Sequence, residues 1–124
     1  MVIISKKIVL VGCGNIGSRH LQAVVKLKNN ISIEIVEPNI KSQRIAKLRL
    51  EEINYNKTTH KIFWYKSLEQ VKNKSDLIII ATNALGRVDL IQKLLDLGHK
   101  RFIIEKVVCQ SSDEYENLLL FMKK

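Results

Sequence analysis

The sequence predicts a three-layer α/β domain built on a doubly wound parallel sheet, and three observations carry that expectation. Short apolar runs alternate along the chain with longer amphipathic stretches, the order that places helices on both faces of a parallel sheet. Ile8-Val9-Leu10-Val11 and Leu77-Ile78-Ile79-Ile80 are apolar throughout, as strands buried on both faces must be. Gly12, Gly14 and Gly17 stand where the first of these runs passes into an amphipathic stretch. With 124 residues, 46% hydrophobic and 27% charged, and one proline, the chain can bury one core and is too short for two, so residues 1–124 form a single domain.

The elements follow in order. A strand over Lys7–Val11 leads into a helix over Ile16–Asn29 carrying Leu21, Val24, Val25 and Lys28, then a strand over Ile31–Val36. A second helix spans Lys41–Ile53, with Ile45, Leu48 and Ile53 on its apolar face and Lys41, Arg44, Lys47 and Glu51 on its solvated face. Asn54–Lys61 is polar and loop-like, Phe63–Tyr65 forms a short strand, and Ser67 caps a helix through Leu68, Val71 and Lys72. Asp76–Thr82 is the next strand, followed by a helix over Arg87–Leu97 that Gly98 stops. Arg101–Glu105 is the last strand. Ser111 or Ser112 then caps a helix through Tyr115, Leu118, Leu119 and Met122, with Asp113 and Glu114 near its positive end. There is no internal repeat, low-complexity stretch or linker.

The three glycines have the spacing G-x-G-x-x-G at a strand-to-helix turn, which is the dinucleotide-binding signature of a Rossmann-type sheet. Gly12 permits the turn, Gly14 lets backbone approach a pyrophosphate, and Gly17 lets helix and sheet pack closely. The free N–H groups of Cys13, Asn15 and Ile16 and the positive end of the helix dipole then face the phosphates. Glu37 ends the second strand, 20 residues after Gly17, where an acidic side chain accepts hydrogen bonds from the adenosine ribose. A carboxylate there repels a 2′-phosphate, so NAD is expected over NADP, a preference that Lys41 and Arg44 just downstream soften. Ligands of an open α/β sheet lie outside the carboxyl ends of the strands. Thr82-Asn83-Ala84 and Glu105-Lys106 are further strand ends on that edge, so Thr82, Asn83 and Glu105 join the expected cofactor contacts. The plainer roles are structural: Glu37 opening a loop with Pro38 and Asn39, Thr82 and Asn83 turning the chain, and Cys13 filling a tight turn.

The net charge of +9, from 21 Lys plus Arg against 12 Asp plus Glu, favours anionic partners such as dinucleotides and sugar nucleotides. Nucleic acid is unsupported, because the lysines are dispersed and the one aromatic cluster, Phe63-Trp64-Tyr65, lies in a strand where sheet packing explains it. No apolar run approaches the ~20 residues that span a bilayer, and the start of the chain lacks signal-peptide order, so a cytoplasmic protein is expected. Cys13 and Cys109 have no metal-ligand spacing. His60 and His99 stand apart from other ligand types, and no metal is expected.

These residues resemble the N-terminal NAD-binding domain of the Gfo/Idh/MocA oxidoreductases, the glucose–fructose oxidoreductase and inositol dehydrogenase family. The resemblance covers the whole chain: Gly12-Cys13-Gly14-Asn15-Ile16-Gly17 with Ser18-Arg19-His20, Glu37, Ser67-Leu68-Glu69-Gln70-Val71 before Asp76, Ile80-Ala81-Thr82, and Gly98-His99-Lys100 leading to Glu105-Lys106. The family usually writes the last pair Glu-Lys-Pro. The resemblance implies that Lys106 is the catalytic lysine, a cation that stabilises the developing alkoxide of the substrate; Glu105 beside it either pairs with a neighbouring charge or holds that lysine in position. His20, often histidine in the family, is expected to pack or cap the first helix. Departures are Val107 for proline after the lysine, Asn83 for proline after the strand-ending threonine, and Arg87 where histidine is frequent. The family's second, substrate-binding domain has no counterpart in these residues. The resemblance therefore implies a cofactor-binding domain of an oxidoreductase acting on a sugar, sugar-nucleotide or polyol hydroxyl, without turnover on its own, paired with a separate substrate domain or self-associating. The competing class is a stand-alone regulatory module sensing NAD, NADH or another adenosine ligand.

Overall fold

The computed structural model describes residues 6–55, 57, 60–72, 74–83, 86–106 and 111–123. Ala84, Val107 and Cys109, each noted above, lie outside them. Five parallel strands, β1 (Lys6–Val11), β2 (Ile31–Val36), β3 (His60–Tyr65), β4 (Leu77–Ile80) and β5 (Phe102–Ile104), form one sheet in the order β3-β2-β1-β4-β5. Four helices, α1 (Asn15–Val24), α2 (Ile40–Glu51), α3 (Arg87–Asp96) and α4 (Ser112–Met122), complete the doubly wound domain.

The period-two alternation of strand side chains divides the core between the two faces. Ile8 and Leu10 of β1, Ile31, Ile33 and Ile35 of β2, and Ile79 of β4 pack with Leu21, Val24 and Val25 and with Ala46 and Leu50 of α2. Val9, Val11, Val36, Ile78 and Ile80 point the other way, onto Val88, Ile91 and Leu94 of α3 and Leu118 of α4. Helix ends follow the expected chemistry. Ser111 Oγ accepts the Glu114 N–H at 3.1 Å at the start of α4. Gly98 adopts φ +96° after α3, where the Gly98 and His99 N–H groups reach the carbonyls of Leu95 and Leu94, a Schellman closure.

Several boundaries differ from expectation. Helix α1 ends at Val24, not Asn29, because His60 Nε2 lies 2.9 Å from the Val25 carbonyl and 3.0 Å from that of Leu27, closing the helix from β3. That use of His60 also starts β3 three residues before Phe63, inside the stretch expected to be loop. Helix α2 turns a different face inward. Gln43, Ala46 and Leu50 are buried, whereas Ile45 and Leu48 are 46% and 63% exposed. The reason is Gln43, whose Nε2 donates to the carbonyls of Glu37 (2.8 Å) and Tyr65 (3.1 Å) and so fixes the helix's rotation. After Ser67 there is a single 3-10 turn, Leu68–Gln70, in place of a helix. The chain must soon return to the start of β4, where Asp76 is pinned: its N–H donates to the Lys7 carbonyl and its Oδ2 accepts the Lys7 N–H.

His99 is 3% exposed, and its Nδ1 accepts the Ser75 N–H at 3.2 Å, with the Ser75 hydroxyl at 2.8 Å. Burial, helped by the charge of Lys7, lowers its pKa from 6.5. The folded state therefore binds fewer protons than the unfolded chain just below 6.5. The stability His99 contributes is complete above that value and is lost as pH falls through its lowered folded pKa. Urea midpoints measured across this window are expected to fall with acidification in the wild type and to fall less in His99→Gln; parallel curves would contradict the assignment.

Candidate functional site

Register sets the strand ends level. Val11 pairs with Val36 and with Ile80, Val36 with Tyr65, and Ile80 with Ile104. The next residues of all five strands, Gly12, Glu37, Lys66, Ala81 and Glu105, therefore emerge along one edge. A cleft of about 640 Å³ opens there, lined by Gly12, Gly14, Glu37, Lys66, Ser67 and Thr82 among others. A second recess of about 360 Å³ is lined by Asn15, Ile16, Arg87, Glu105 and Lys106, and it shares Gly14, Ala81, Thr82 and Asn83 with the cleft. Together they bring every expected site residue except the buried Cys13 and Gly17 to the surface of one groove.

The three glycines are required for different reasons. Gly12 has φ +90°, and a Cβ there would lie 2.9 Å from backbone atoms of Ala81 and Thr82. A Cβ on Gly17 would meet the Gly12 carbonyl oxygen at 2.1 Å. A Cβ on Gly14 would meet nothing within 4 Å beyond its own chain neighbours and helix backbone, so packing in the fold does not demand the missing side chain. What the bare backbone provides at Gly14 is open approach from solvent.

Glu37 is 9% exposed, and both carboxylate oxygens are held: Oε1 accepts the Cys13 N–H at 2.8 Å and Oε2 accepts the Asn39 N–H at 2.9 Å. Each oxygen keeps a second lone pair, so the carboxylate is oriented and still able to accept from hydroxyl groups. Cys13 thus spends its N–H on Glu37 instead of a phosphate. Its thiol pKa is pushed up to about 12, by burial first and then by Glu37, which leaves a protonated packing group.

At the other end of the groove His20 Nε2 bonds Glu105 Oε1, joining α1 to the end of β5. Arg87, 2% exposed, donates from Nη1 to the Glu105 carbonyl and from Nη2 to the Thr82 carbonyl, tying β4's end to β5's. Lys106 is exposed beside them. No local pattern marks Gln43 or Arg49 as contributors, since each acts through a contact with a distant segment, and Lys66 joins the site by its place at the end of β3. Arg87, a departure from the family's frequent histidine, builds the site through the carbonyls of Glu105 and Thr82.

A doubly wound sheet with a bared glycine loop and an oriented acidic strand end defines a dinucleotide-binding domain. Residues 6–124 match the GFO_IDH_MocA family model, described as "Oxidoreductase family, NAD-binding Rossmann fold", and the chain belongs to that family. Solved structures agree on the fold. A Gfo/Idh/MocA family oxidoreductase from Vibrio cholerae superposes with a TM-score of 0.70 at 21% identity, over 96% of this chain and 35% of its own. A myo-inositol dehydrogenase from Corynebacterium glutamicum gives 0.67 at 19%, over 97% and 33%. A 3-ketoreductase from Actinomadura kijaniata, in complex with TDP-benzene and NADP, gives 0.62 at 14%, over 97% and 35%. This chain thus spans about a third of the length of these structures. A search of curated proteins finds no match. Among the described residues no helix is long and apolar enough to cross a membrane.

Proposed function

We propose that this domain binds NAD in preference to NADP and serves an oxidoreductase acting on a hydroxyl of a sugar, sugar nucleotide or polyol. The orientation of Glu37 supports the cofactor choice: a buried carboxylate held by two N–H groups accepts ribose hydroxyls and repels a 2′-phosphate. The groove fits such a ligand in size and in donors, with an open Gly14 and an α1 N-terminus beside it. The substrate class draws on the relatives, one an inositol dehydrogenase and one a ketoreductase complexed with a TDP ligand. A bound nicotinamide would supply the hydride chemistry. The chain's own part is to hold the dinucleotide along Glu37, Gly14, Thr82 and Asn83 and to present Lys106, in Glu105's company, to the reacting oxygen. Closure over a substrate would come from a further domain, and the isolated 124-residue chain would bind cofactor without turnover.

Calorimetric titration tests this. The wild type is expected to bind NADH more tightly than NADPH, and Glu37→Ala to narrow that ratio by about tenfold, the scale of one charge-assisted hydrogen bond. The ratio cancels any general loss of folded protein. Equal affinities in wild type and variant would remove the Glu37 assignment.

A further inference from the structure

The guanidinium of Arg49, in the last turn of α2, reaches back along α1 to the glycine loop. Its Nη2 donates to Asn15 Oδ1 at 3.1 Å, and its Nη1 donates to Ser18 Oγ at 2.6 Å and to the Asn15 carbonyl at 3.4 Å. Ser18 Oγ in turn donates to the same carbonyl at 3.0 Å. The base of the arginine is fixed as well, because Gln22 Nε2 donates to the Arg49 carbonyl at 2.6 Å.

An arginine offers only donors, so the carboxamide of Asn15 has one possible orientation beside it: oxygen toward Arg49, nitrogen away. Asn15 lines the recess next to Gly14 and Ile16. The end of its side chain left for a ligand is therefore the Nδ2 group, with two N–H donors. Unpaired, an asparagine at this place would turn between its two orientations until an anion selected the nitrogen end; beside Arg49 that orientation is already set.

We infer that Arg49 is a positioning residue for dinucleotide binding: it orients Asn15 so that the carboxamide nitrogen donates to the pyrophosphate. The inference rests on reading the groove as a dinucleotide site, and it adds a determinant on α2 that the glycine signature does not contain. Arg49 acts through Asn15 and does not itself touch the ligand.

A mutant cycle on the whole chain distinguishes this role from general stabilisation or from a long-range effect of charge. NADH titrations are run on wild type, Arg49→Met, Asn15→Ala and the double variant, with thermal midpoints measured alongside. Each single change is expected to raise the Kd about tenfold, and the double change no further than either. Arg49→Lys, which keeps the charge but has no planar fork, is expected to bind as weakly as Arg49→Met and serves where the methionine variant folds poorly. Additive losses, an arginine-to-lysine variant that binds like wild type, or unchanged affinity in the single variants would each overturn the inference while leaving the dinucleotide site standing. A wild type that binds no NADH would overturn both.

Discussion

Gly17→Ala is expected to destabilise the domain severely, whereas Gly14→Ala leaves it folded and disables the cofactor site. The two glycines belong to the same signature, and the difference is steric. At Gly17 the new methyl would lie 2.1 Å from the Gly12 carbonyl oxygen and 2.8 Å from its carbon, both backbone atoms of the adjoining turn. That turn cannot retreat, because the Gly12 N–H is bonded to the Val36 carbonyl at 2.9 Å and the residue packs on Ala81 and Thr82. Overpacking of this kind costs about 3 kcal/mol or more, which in a domain of this size lowers Tm by roughly 10 °C. Gly14 has a negative φ of −80°, outside the left-handed region, and an alanine methyl there meets no packed neighbour within 4 Å. Its stability is expected to stay within about 1 kcal/mol of wild type, the range for an alanine in place of a cap glycine. The same methyl would stand where the pyrophosphate must approach, raising the Kd for NADH at least about tenfold on the scale of one lost charge-assisted contact. Calorimetric melting and NADH titration of the two variants check both halves. Gly14→Ala binding like wild type would show that the ligand does not pass over that backbone.

Where chemistry was local, the sequence was sufficient. The apolar runs of β1 and β4, the glycine loop, Gly98 after α3 and Ser111 before α4 all express preferences of a few adjacent residues, and each appears as expected. What the sequence did not show depends on groups far apart in the chain. Helix α2 has Ile45 and Leu48 at a credible apolar spacing, yet Gln43 decides its orientation by bonding two carbonyls at the sheet edge, one of them on β3. His60 shortens α1 from 33 and 35 residues away. Glu105 was legible as a neighbour of Lys106 but not as the partner of His20, 85 residues earlier. The candidate site was thus readable as a set of strand ends. Its internal connections, which orient Glu37, Asn15, Thr82 and Glu105, were not, because no spacing rule encodes a contact made through the fold.

Arg87→Met is expected to lower stability by about 2–4 kcal/mol and to weaken NADH far more than ADP. Arg87 satisfies two backbone carbonyls, those of Thr82 and Glu105, with one guanidinium. Methionine matches much of its apolar stem and offers no donor, so both oxygens lose their partner; each such loss costs about 1–2 kcal/mol where water does not replace it. Burial draws the arginine's pKa below its ordinary value, with Glu105 acting in the opposite direction. The guanidinium stays charged throughout any accessible pH, so the loss should not vary with pH. The binding consequence follows from which strand ends it joins. Glu105 and Lys106 line the recess alone, Glu37 and Ser67 line the cleft alone, and Thr82 lies with Gly14 where the two meet. Freed from Arg87, the ends of β4 and β5 would shift against each other, and the part of a dinucleotide lying in the recess would lose its contacts. ADP, held from Glu37 to the glycine loop, would keep its own. Parallel titrations with ADP and NADH therefore separate a local role at the β4–β5 junction from a general loosening of the domain. Equal loss of both ligands, or of neither, would show that the two carbonyls are not what positions the recess.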